Sequence, residues 1–174
     1  MAIIPKVFLP KLNHANSPNQ SQRLFPNDVE VIVCHTPEGS YAGATATLMN
    51  PNAQVSYHVL IREDGKEATQ FVPWSRKAWH AKVHNSRSEG ISLAGFARDK
   101  KASQPGVKVM ARVVAFRLKE RGLPPKWSTK RGFCRHADLQ SDRSDPMTKL
   151  EWVKFVGRVK MEYHRGGFRK VWGR

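Results

Sequence analysis

The chain has 174 residues, enough for one domain with a proper hydrophobic core and short for two. Apolar residues make up 40% and charged residues 25%, an ordinary soluble mix, and no apolar run approaches the roughly 18 to 20 residues that span a bilayer. The formal charge of +16 favours polyanionic partners such as nucleic acid, anionic lipid or anionic cell-wall polymers; it does not choose among them or exclude a role in solubility alone.

Residues 1–27 are rich in Pro, Asn and Ser, show no convincing period, and read as an arm laid over a domain spanning residues 28–174. The start is broken by Pro5, Lys6 and Pro10 and lacks the basic-then-apolar order of a secretory signal. Val29 to Cys34 is a β-branched apolar run with the composition of a buried strand, and it stops at the loop His35-Thr36-Pro37-Glu38-Gly39. Ser40 to Asn50 is Ala- and Thr-rich and suits a short helix. A second strand is predicted over Ser56 to Arg62 and a third over Glu67 to Val72, joined as a hairpin at Asp64-Gly65. Trp74 to Asn85, dense in Trp, His and basic residues, reads as a surface loop, and Gly90 to Ala97 as another strand.

The clearest helix runs from about Val107 to Arg121, where Val109, Val113 and Phe116, with Met110 and Val114, recur at three- and four-residue steps before Gly122. Arg131 to Asp145 is a short polar segment around His136. Thr148 to about Tyr163 reads as a final helix with Trp152, Phe155, Val156 and Val159 on one face. Strands mixed with helices over this length predict a single α/β domain. Two cysteines, Cys34 and Cys134, are too few for a disulfide scaffold, and the expectation is two reduced, buried thiols, with one bridge as the alternative.

His35 sits where a buried strand meets a loop, and His136 and Asp145 lie near the other end of the chain. Two histidines and a carboxylate with one position left open is the ligand set of catalytic zinc. Seven histidines offer many such triples, so spacing alone is weak support.

The order of motifs is more specific. Val31-Ile32-Val33-Cys34-His35-Thr36 resembles the opening strand and histidine of the type 2 N-acetylmuramoyl-L-alanine amidases, a family that includes phage lysozyme-like amidases and animal peptidoglycan recognition proteins. Ser56-Tyr57-His58-Val59-Leu60-Ile61 with Asp64-Gly65 is similar to its second strand and hairpin, and Ala78-Trp79-His80-Ala81 to its Ala-Trp-His-Ala loop. Asn85, Ser88, Gly90 and Ile91 resemble its Asn-x-x-Ser-x-Gly-Ile strand entry. Phe133 to Leu139 resembles its Gly-His-x-Asp segment, and Arg143-Ser144-Asp145-Pro146 its Lys-x-Asp-Pro.

The resemblance implies a central mixed β-sheet flanked by helices and one Zn2+ held by His35, His136 and Asp145. It implies hydrolysis of the amide between N-acetylmuramic acid and L-alanine in bacterial peptidoglycan. Tyr57 matches a tyrosine that some members place near the metal, where it orients water or donates to the oxyanion. Arg143 replaces the usual Lys and stays protonated, so it stabilises negative charge but cannot act as an acid. Trp79, His80 and Asn85 are expected along the substrate groove. His58, next to Tyr57, should face the other way as a histidine of the core or one that supports the site from behind.

Where many relatives read Gly-Ile-Glu, this chain reads Gly90-Ile91-Ser92, and that Glu is the proposed general base of one branch. The tyrosine-based arrangement is the favoured substitute, with Glu89 or another carboxylate, or weak catalysis, as the alternatives. The basic charge without a nucleic-acid motif suggests attachment to anionic envelope polymers, and a monomeric phage endolysin made in the host cytoplasm is the expected setting. Two rivals remain: a peptidoglycan-binding module of the same fold that does not cut, and a basic nucleic-acid-binding protein.

Overall fold

The structure, a computed structural model, describes residues 9–25, 27–96 and 102–166. Its strands are β1 (Lys11–His14), β2 (Gln20–Gln22), β3 (Val31–His35), β4 (Val59–Ile61), β5 (Glu67–Gln70), β6 (Arg76–Ala78), β7 (Ser88–Leu93) and β8 (Gly132–Arg135). Its α-helices are α1 (Tyr41–Met49), α2 (Gln104–Glu120) and α3 (Lys149–Arg165). Six strands form one mixed sheet in the order β1-β5-β4-β7-β3-β8, in which only the β4–β5 pair is antiparallel. β2 and β6 make a separate antiparallel ribbon.

Every residue of β3 is buried, because this strand has parallel neighbours on both edges and packing on both faces. Alternation sends Ile32 and Cys34 into the main core with α2 and α3, while Val31 and Val33 face the other side with Cys134. The two thiols are therefore on opposite faces of the sheet, both free and buried, as expected of reduced cysteines.

α2 carries the predicted set Val109, Met110, Val113, Val114 and Phe116, all buried, since the helix lies between the sheet and α3. It starts three residues earlier than predicted, with Pro105 in its first turn, where a missing N–H costs nothing. α3 starts at a capping box in which Thr148 Oγ accepts from the Glu151 amide and the Glu151 carboxylate accepts from the Thr148 amide. It buries Trp152, Phe155 and Val159, and Val156 is half-buried. The shorter α1 packs Ala44 and Leu48 on the opposite side of the sheet, against Leu60, Phe71 and Ala78.

Several elements differ from the sequence reading. The stretch without a period contributes β1 as an edge of the main sheet and β2 to the ribbon, and its polar residues tie it down. Asn19 Nδ2 donates to the carbonyls of Asn50 and Val55, and the buried Arg23 guanidinium donates to those of Ser88 and Arg76. Side-chain-to-backbone bonds of this kind leave no periodic trace in a sequence. Trp74 to Asn85 is not a simple surface loop: it contains β6, and Ala78, His80 and Ala81 are buried. The strand predicted over Gly90 to Ala97 begins at Ser88 and ends at Leu93, and Ala97 lies outside the described residues.

β8 arises within a segment that reads as polar loop. Gly132 has φ of 137°, and a Cβ there would fall 2.2 Å from the Lys126 carbonyl oxygen, so glycine is what lets this strand enter beside β3.

Glu89 points from β7 into the helix side. Its carboxylate is buried and takes a bidentate pair from Arg117 at 2.8 and 3.0 Å, with Arg121 at 2.6 Å on one oxygen. Burial opposes its ionisation, but Arg117 and Arg121 outweigh it and bring the carboxyl down to about 2 from an ordinary 4.5. Glu89→Gln should destabilise the fold by about 3–5 kcal/mol, read by urea unfolding, because it leaves buried guanidinium groups uncompensated. The folded value is depressed, so the stabilisation from Glu89 should be complete above about pH 4.5 and fall away as pH drops toward 2.

Candidate metal centre

The parallel register of β3 and β8 pairs Cys34 with Arg135, so the next residues, His35 and His136, leave adjacent strands side by side. Their rings lie 4.5 Å apart between centroids. Asp145 arrives from the segment after β8, which is fastened to the end of β3. The Thr36 amide donates to Asp145 Oδ2 at 3.2 Å, the Thr36 hydroxyl donates to the Pro146 carbonyl, and the Ala137 amide donates to the Asp145 carbonyl.

The three side chains converge with the same atoms. His136 Nδ1 is 3.0 Å from Asp145 Oδ1, and His35 Nδ1 is 3.4 Å from Asp145 Oδ2. All three residues are buried, with their ligand atoms within 4.8 Å of one another. A tetrahedral ion with bonds of about 2.0–2.1 Å needs ligand atoms about 3.3 Å apart, and the two contacts to Asp145, at 3.0 and 3.4 Å, are close to that. The buried Nδ1 of His35 has no hydrogen-bond partner, which costs free energy unless a cation takes its lone pair.

The protonation states suit the same purpose. Burial lowers His35 to about 4, so its ring is neutral near pH 7. Burial works against ionisation of Asp145, but the His136 and His35 rings lying against its carboxylate hold it well below the usual range. A neutral imidazole and an ionised carboxylate are the forms that bind a metal. Among the described residues, this His-His-Asp trio forms a group that could hold a metal ion.

Around the trio, Tyr57 lies with its ring 4.9 Å from that of His35. Burial, then the charge of Asp145, pushes its phenol well above the ordinary value and keeps it a proton donor, with the Ser92 side chain beside it. Ser92 is buried and pairs with His35 across β3 and β7, on the same sheet face. Glu89, three residues before Ser92 on the same strand and so on its opposite face, points into its arginine pair and cannot serve as the base. Arg143 is half-exposed at the rim, 3.9 Å from Asp142, with its charge felt at His35 and Tyr57.

Trp79 and Asn85 share the lining of a surface hollow of about 430 Å³ with Lys77 and Lys82. His80, expected on the groove, is instead buried behind His35, its Nδ1 2.9 Å from His35 Nε2. The reason is local: Asn85 Oδ1 accepts from the amides of His80 and Ala81 and turns the chain inward. His58 is a core histidine. Its Nδ1 accepts from the Gly90 amide, its Nε2 donates to the Arg76 carbonyl, and its ring stacks on Trp74 at 5.4 Å. The part of Thr36 in fastening Asp145 was missed in the sequence; only its position directly after His35 hinted at it.

A family model described as N-acetylmuramoyl-L-alanine amidase matches residues 25–148, a span that includes the whole trio. The chain belongs to this family. It is 45% identical over 87 residues to N-acetylmuramoyl-L-alanine amidase A of Achromobacter lyticus, covering 50% of this chain and 48% of that protein. It is 27% identical to the 1,6-anhydro-N-acetylmuramyl-L-alanine amidase AmpD of Citrobacter freundii over 94% of this chain and 98% of that one. The chain thus spans about half the length of the Achromobacter relative and nearly all of the Citrobacter one. In fold it is similar to the Staphylococcus aureus hydrolase AmiA, with a TM-score of 0.74 at 18% identity, covering 93% of this chain and 88% of that one.

Asn85→Ala should strip two amides of their acceptor and destabilise the loop by about 1–3 kcal/mol. Faster hydrogen exchange at the His80 and Ala81 amides, with α2 and α3 unaffected, is the expected result.

Proposed function

We propose that this protein is a zinc-dependent N-acetylmuramoyl-L-alanine amidase acting on bacterial peptidoglycan. The observation that carries the reading is the buried convergence of His35 Nδ1, His136 Nδ1 and the Asp145 carboxylate in a chain of this family. Zinc bound there would supply Lewis acidity, polarising the scissile carbonyl and making water a better nucleophile near neutral pH.

The protein's own side chains do the rest. The Tyr57 phenol, protonated and beside His35, donates a hydrogen bond to the oxygen on which negative charge develops. Arg143, half-exposed at the rim, adds a fixed positive charge that can face a substrate carbonyl. Trp79 and Asn85 offer an aromatic face and an amide beside Lys77 and Lys82, suited to a sugar-peptide chain with carboxylates. The catalytic unit is residues 28–174, with residues 1–27 as an arm whose described part is joined to it through β1 and β2.

The reading extends to a monomeric lytic enzyme of the phage endolysin type, made in the host cytoplasm and acting on the wall after release. The +16 charge supports retention on anionic envelope polymers, with no specific nucleic acid partner. Ser92 in place of an acidic residue favours one rival, a peptidoglycan-binding module that does not cut.

Metal analysis and release of L-alanine amino termini from purified walls separate these readings. About one zinc per chain, with release that disappears in His136→Ala, is the expected outcome. Tyr57→Phe and Arg143→Ala should each lower turnover by about 10²–10³ with zinc retained, while Arg143→Lys keeps most of it. Zinc without release on several wall types would establish the binding module instead. Wall binding should weaken steeply from low to moderate salt; salt-independent binding would overturn the charge-based attachment.

A further inference from the structure

From His35 a directed hydrogen-bond chain runs back through two side chains, His80 and Ser88, that the proposed chemistry does not itself use. His35 Nε2 is 2.9 Å from His80 Nδ1, His80 Nε2 is 3.2 Å from Ser88 Oγ, and Ser88 Oγ is 2.7 Å from the His84 carbonyl oxygen. The direction is set at its far end. A carbonyl only accepts, so the Ser88 hydroxyl donates its proton there and presents a lone pair to His80. Neutral His80 must then carry its proton on Nε2 and offer Nδ1 as an acceptor. His35 is left to donate from Nε2, which exposes the lone pair of its Nδ1 toward Asp145 and His136.

The position of the His80 ring is equally determined. It stands edge-on to the His35 ring at 5.0 Å, and Asn85 holds its backbone amide. Gly90 on β7 makes room for it: a Cβ at residue 90 would lie 2.8 Å from His80 Cγ. Ala78-Trp79-His80-Ala81, Asn85, Ser88 and Gly90, separate motifs in the sequence, thus build one support.

We infer that His80 is a positioning residue that selects the metal-ready tautomer of His35, through a hydrogen-bond chain anchored on Ser88 and the His84 carbonyl. The inference rests on His35 being a metal ligand. A wrong tautomer would turn an N–H toward the Asp145 carboxylate and block Nδ1, and outer partners of ligand histidines typically change metal affinity by about 10–100-fold.

The test uses the full chain, with Zn2+ alone as the probe, and two readouts: affinity by competition with a chromophoric chelator, and the imidazole nitrogen NMR signals of the metal-free protein. Wild type should show His35 protonated on Nε2. His80→Leu, which removes the acceptor, should bind zinc about 10–100-fold more weakly and shift His35 toward the Nδ1-protonated form. His80→Asn, whose Oδ1 can stand where Nδ1 stood, should recover the wild-type tautomer and most of the affinity. Ser88→Ala frees the direction of the chain and should give mixed tautomers at His80 and His35; it carries the test if His80→Leu does not fold. Wild-type zinc affinity with an unchanged His35 tautomer in both His80→Leu and Ser88→Ala would overturn the proposal. His136→Ala tests the parent reading in the same titration: undiminished affinity there would discard the metal centre itself, whatever His80 does.

Discussion

The parallel pairing of β3 with β8 is the contact on which the rest depends. Two residues a hundred positions apart become neighbours because each is the first residue past the same register step on adjacent strands. Adjacent strands lie about 4.8 Å apart, the spacing at which two imidazoles can face a single ion. The site needs no loop of special shape to bring its histidines together; it needs only the strand register, and that register is enforced by burial of Val31, Val33 and Cys134 on one face and Ile32 and Phe133 on the other. Ligand sites at the carboxyl ends of parallel strands are a general consequence of such sheets.

Alternation then divides the polar groups of the interior between two faces. On β7, Ser88, Gly90 and Ser92 face the side of the His-His-Asp trio, while Glu89, Ile91 and Leu93 face the helices. Glu89 lies one residue from the support chain and takes no part in it, because a single step along a strand reverses the side chain. Its burial against Arg117 and Arg121 joins α2 to the sheet, and Trp74 completes that layer with Arg117 3.9 Å above its ring. The helix side is thus fixed by charge pairing and packing, and the opposite side by a chain of neutral hydrogen bonds.

Much of this was readable beforehand. α2 and α3 were legible because a helix packed on one stripe repeats its apolar residues every three or four positions, and β3 because a strand buried on both faces is apolar throughout. The hairpin at Asp64-Gly65 was legible from its turn residues, with the Asp64 carboxylate accepting from the Lys66 amide. β1, β2 and β6 were not, since their pairing satisfies backbone groups without demanding an apolar pattern. β8 was hidden by its length of four residues and by the polar chain on both sides.

The same division holds at the site. His35, His136, Asp145 and Tyr57 could be named as candidates, and Ser92 set aside as a base, from the sequence alone, because motif order and side-chain chemistry are one-dimensional facts. The orientation of His80 was decided by tertiary structure. An imidazole in a Trp-His loop is equally suited to a groove or to a core, and only the space above Gly90, the cap from Asn85 and the acceptor at His84 turn it inward. Hydrogen-bond direction depends on which atoms meet across the fold, and that is settled by packing.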